Sequence, residues 1–86
     1  MIIVSQDRDE IINFERITEI VASGKTISIT DNIYRGKGEI IGEYETEERA
    51  KEVLQDIKQT YEKTLLNTKT GEVTGNYPKV YEMPEN

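Results

Sequence analysis

A chain of 86 residues with no histidine and no cysteine has room for one hydrophobic core and lacks the groups needed for disulfides, zinc-hydrolase centres and Ser-His-Asp or thiol nucleophiles. Its 17 Asp and Glu against 11 Lys and Arg, a formal charge of −6, disfavour non-specific attraction to nucleic acid or anionic membrane. No apolar run approaches the ~20 residues of a membrane span, and MIIV is too short for a signal-peptide core and has no basic leader, so a cytoplasmic protein is expected.

Residues 1–44 carry short apolar bursts separated by turn formers, the signature of consecutive strands. MIIVS is apolar on both sides and reads as a strand covered on both faces, or as one whose outer face is buried in an interface. QDRDE supplies turn chemistry, with Arg8 expected in solvent, and EIINF and ITEIVA follow as second and third strands. Gly24 in SGK can take positive φ without steric cost. TISIT alternates cleanly, Ile27 and Ile29 facing one way and Thr26, Ser28 and Thr30 the other, which makes one face wet. EIIGEY is a fifth strand.

The period then changes. In TEERAKEVLQDIKQTYEKTLL, Ala50, Val53, Leu54, Ile57, Tyr61 and Leu65 draw one stripe along a helix. Thr46 is a suitable N-cap, Glu47 and Glu48 complement the helix dipole, and Glu47 to Lys51 has the favourable i,i+4 order. NTKTGEVTGN reads as a loop or small hairpin turning at Gly71. YPKVYEMP is a last strand, which Pro78 near its start and Pro84 at its end push to a sheet edge. The expectation is one α+β domain over residues 1–86. It comprises an antiparallel meander of about five strands, one amphipathic helix packed on it, and a C-terminal edge strand.

The candidate chemistry lies mainly in NIYRGKGE. Backbone N–H groups in a glycine-rich turn (Gly36, Gly38) can form an anion-binding concavity to which Arg35 and Lys37 would add charge-assisted hydrogen bonds. The plain alternative is a hairpin whose glycines relieve strain while the basic residues face solvent. The segment is not a P-loop, because it lacks the GxxxxGK[ST] spacing. Tyr34, Tyr77 and Tyr81 lie at strand ends or in a terminal segment, where a ring could stack on a base or anchor an interface. Tyr44 and Tyr61 are expected in the core. Glu43, Glu45, Glu47 and Glu48 are expected on a solvated face, since nothing matches a calcium-loop spacing and no metal or cofactor is implied.

Three stretches, MIIVSQDRDEIINF, IIGEYETEERAKEVLQDI and VYEMPEN, resemble small proteins of phages and prophages of Gram-positive bacteria. The outline is also similar to the Thoeris anti-defence sponges, oligomeric α+β proteins that sequester cyclic ADP-ribose-type signals or cyclic oligonucleotides. The resemblance leaves RGKG outside it and assigns no binding residue. It implies a phage anti-defence protein in the host cytoplasm that binds a cyclic nucleotide or ADP-ribose-type signal as a homo-oligomer, without catalysis. On that reading the ligand-binding residues are Tyr34, Arg35, Gly36, Lys37, Gly38, Tyr77 and Tyr81, with no direct nucleic-acid binding. The alternative is an acidic inhibitor that binds a bacterial nuclease or defence complex, as a charge mimic of DNA would. An enzyme is not expected, because no nucleophile–base pair can be identified.

Overall fold

A computed structural model describes the backbone of residues 1–31, 38–70 and 80–86, and the side chains of all of these except 31 and 64–70. The element order is β1 (Ile2–Val4), β2 (Ile11–Asn13), a 3-10 turn (Phe14–Arg16), β3 (Ile17–Ser23), β4 (Thr26–Asp31), β5 (Glu39–Glu43), α1 (Glu47–Thr70) and β6 (Val80–Glu82). This is the expected α+β class, with the helix after the strands and a C-terminal strand at a sheet edge.

The expected run of five strands is divided between two three-stranded sheets, β2-β1-β6 and β3-β4-β5. The division falls at Asn13, whose Oδ1 accepts the Glu15 N–H and caps the 3-10 turn. The Phe14 N–H donates to the Met1 carbonyl at 3.0 Å. The turn therefore carries the chain away from β1 before β3 begins, and β3 starts a second sheet instead of continuing the first. β6 returns to lie parallel to β1, with Tyr81 opposite Ile3. The β3-β4 connection has two residues, Gly24 and Lys25, between the paired Ser23 and Thr26. Gly24 takes φ +58° and is the only one of the two with positive φ, the pattern of a type II′ turn matched to strand twist.

Thr46 caps α1 as its chemistry requires: its Oγ1 accepts the Arg49 N–H at 3.1 Å, and its carbonyl accepts the Ala50 N–H. Glu47 and Lys51 pair at 3.6 Å on the exposed side, where such a contact adds only a few tenths of a kcal/mol. The helix runs to Thr70, through four residues of the stretch expected as a loop. NTKT carries no strong breaker, which is consistent with its helical backbone.

Both sheets and the helix share one apolar cluster. Ile3, Ile12, Tyr81 and Met83 enter it from the first sheet and the segment after it. Ile27, Ile29 and Ile41 come from the second sheet, and Ala50, Val53 and Ile57 from the helix. Each large side chain so buried contributes about 1.5–3 kcal/mol. Tyr61, partly buried, closes the stripe by stacking on Phe14, ring centroids 4.6 Å apart at 46°.

Gly42 in β5 lies close against the segment that follows β6. A Cβ there would stand 2.7 Å from Met83 Cε and 3.2 Å from the Tyr44 ring. Met83 and Tyr44 are both buried, so neither can step aside into solvent. Gly42→Ala should therefore lower stability by about 1–3 kcal/mol through overpacking. Gly24→Ala, with open space around it, should cost about 1 kcal/mol from backbone strain alone. Urea denaturation of the two variants tests this, and a Gly42→Ala cost well below about 1 kcal/mol would show that Met83 gives way and the close approach is slack.

Candidate functional site

The hairpin between β1 and β2 is built around a buried serine. Ser5 Oγ donates to Asp7 Oδ1 at 2.9 Å, has Asp9 Oδ1 at 3.3 Å as a second acceptor, and accepts the Glu10 N–H at 3.1 Å. The Arg8 N–H closes a turn onto the Ser5 carbonyl. Arg8 itself sits at φ 66°, an uncommon conformation for a residue with a Cβ. Its guanidinium secures that geometry: Nη1 donates to the Ser5 carbonyl at 3.1 Å and to the Met83 carbonyl at 2.6 Å. Arg8 is exposed, as expected, and at the same time ties the first hairpin to the C-terminal segment.

Gln6 makes the second tie. Its N–H donates to the Ile41 carbonyl at 3.0 Å. Its side-chain amide then pairs with the Glu43 backbone as another strand would, Oε1 accepting the Glu43 N–H and Nε2 donating to the Glu43 carbonyl, each at 2.7 Å. Nε2 also donates to the Glu85 carbonyl at 2.9 Å. The edge of β5 is thereby joined to the end of β1.

Carboxylates gather along this seam. Ser5, Gln6, Asp7, Asp9, Glu10, Ile40 and Glu43 are among the residues around a cleft of about 190 Å³. A broader open depression of about 550 Å³ is lined by Lys25, Glu43, Tyr44, Glu45, Glu85 and Asn86, so that Glu43 borders both. Lys25 is the single cation among these described lining residues. Neighbouring carboxyls here shift one another's pKa values. The hydrogen bond between Asp7 and Asp9 lowers the Asp7 pKa, with help from Ser5, and raises that of Asp9. Glu10 is pushed up to about 7, first by its hydrogen bond with Glu39 and then by partial desolvation and the charges of Glu39, Asp9 and Asp7.

Chemically the seam is a row of acceptors held close enough to share protons, suited to receiving lysine or arginine donors. Among the described residues, no group of three or more carboxylates is placed to hold a metal ion. No described helix is long and apolar enough to cross a membrane.

Of the site residues read from the sequence, Tyr34, Arg35, Gly36, Lys37 and Tyr77 lie outside the described residues. Gly38 is exposed just before β5, with Ser28 Oγ 3.3 Å from where its Cβ would stand. Tyr81 is a core residue: its ring is buried between the sheets and helix, and its hydroxyl donates to Asp56 Oδ2 at 3.3 Å. Burial, and then the Asp56 carboxylate, raise its pKa strongly, so the hydroxyl stays protonated. Tyr44 is buried as expected, its hydroxyl donating to the Pro84 carbonyl at 2.9 Å. Reading the sequence missed Ser5, Gln6 and the Glu10–Glu39 pair. SQDRDE between two apolar bursts signals only a turn, and no local pattern couples Glu10 to Glu39. No family model, curated protein or solved structure matches the chain.

The Glu10 shift has a measurable consequence. Its folded pKa, about 7, lies above its ordinary value of 4.5, so the folded state binds the proton more tightly than the unfolded chain. This contribution to stability is complete below pH ~4.5 and is lost as pH rises through about 7. Urea midpoints measured across that window should fall for the wild type and flatten for Glu10→Gln. An unchanged slope in the variant would show that Glu10 is not the group that titrates in this window.

Proposed function

We propose that this chain acts by holding a basic partner protein along its carboxylate-lined seam, as a stoichiometric inhibitor. In the phage setting that its end segments resemble, the partner would be a bacterial nuclease or defence complex whose cationic surface normally faces DNA. The Glu10–Glu39 pair carries the reading. Two carboxyls forced together retain a proton at a pH where isolated glutamates have lost theirs, and an incoming lysine or arginine would displace that proton and form charge-assisted hydrogen bonds. Binding should therefore release a proton, strengthen as pH rises through about 7, and weaken with salt as exposed charges are screened.

The nucleotide-holding alternative draws on Tyr34, Arg35, Gly36, Lys37 and Tyr77, all outside the described residues, and on Tyr81, whose ring is enclosed in the core. Nothing else on the described surface favours it.

Affinity purification on the immobilised protein tests both readings. A cationic protein should be retained at about 50 mM salt and released at about 500 mM, where the Debye length falls from over 10 Å to under 5 Å. Retention should weaken several-fold for Glu10→Gln/Glu39→Gln. Salt-insensitive retention, or none, would remove the acidic-seam reading. Capture of an intact cyclic dinucleotide or cyclic ADP-ribose isomer by the wild type, undisturbed by those two substitutions, would replace it with the nucleotide reading.

A further inference from the structure

We draw no further inference here: the strongest candidate, the exposed apolar patch of Ile2, Ile11 and Val80 on the outer face of the β2-β1-β6 sheet, carries none because nothing in the structure shows what covers it.

Discussion

The side-chain amide of Gln6 holds the two sheets in register with one another. It presents one acceptor and one donor to the Glu43 backbone at 2.7 Å each, and a further donor contact to the Glu85 carbonyl. β5 would otherwise end as an open sheet edge, with backbone groups left to water or to another chain. Around this amide, four successive C-terminal carbonyls each accept a side-chain donor, two from the first hairpin, one from Tyr44 and one from the first turn of α1. Met83 receives Arg8 Nη1, Pro84 the Tyr44 hydroxyl, Glu85 the Gln6 amide and Asn86 Arg49 Nε. Each bond contributes about 0.5–1.5 kcal/mol net, but they order one segment together, so the cost of fixing its backbone is shared among them. Met83 is thereby held in the core, where it lies against Gly42.

That anchoring also determines where the negative charge collects. Tying the first hairpin to β5 and to the C-terminal segment brings Asp7, Asp9, Glu10, Glu43 and Glu85, distant in sequence, to one seam. The cost appears as hydrogen bonds between carboxyls and as a Glu10 pKa of about 7. A protein shaped only for solubility would spread its carboxylates, because like charges brought together destabilise the folded state.

Much of the fold can be read from local patterns. TISIT alternates and has one buried face, the stripe from Ala50 to Ile57 is the buried side of α1, Thr46 caps it, and Gly24 takes the positive φ that the turn requires. These are effects within about a turn of helix or a few residues of strand, and periodicity reports them faithfully. The candidate site was far less legible. Of the seven residues singled out, only Gly38 and Tyr81 are described, and Tyr81 is a core ring. Its position near the chain's end made it look available for stacking, whereas parallel pairing with β1 places it opposite Ile3 and over the helix.

The sequence by itself determined the element types, their order, the helix start, the absence of thiol and imidazole chemistry and the acidic balance. All of these follow from residue identity and short-range spacing. Only the tertiary structure decided that β1 to β5 divide into two sheets, that β6 lies parallel to β1, and that a glutamine and an arginine in a turn bind backbone as far as 79 residues away. Pairing between distant segments depends on which surfaces meet after collapse, and a polar side chain completing a strand's hydrogen bonds leaves no periodic trace. The same holds for Glu10, whose pKa is pushed up to about 7 by Glu39 only because folding brings that distant carboxylate beside it.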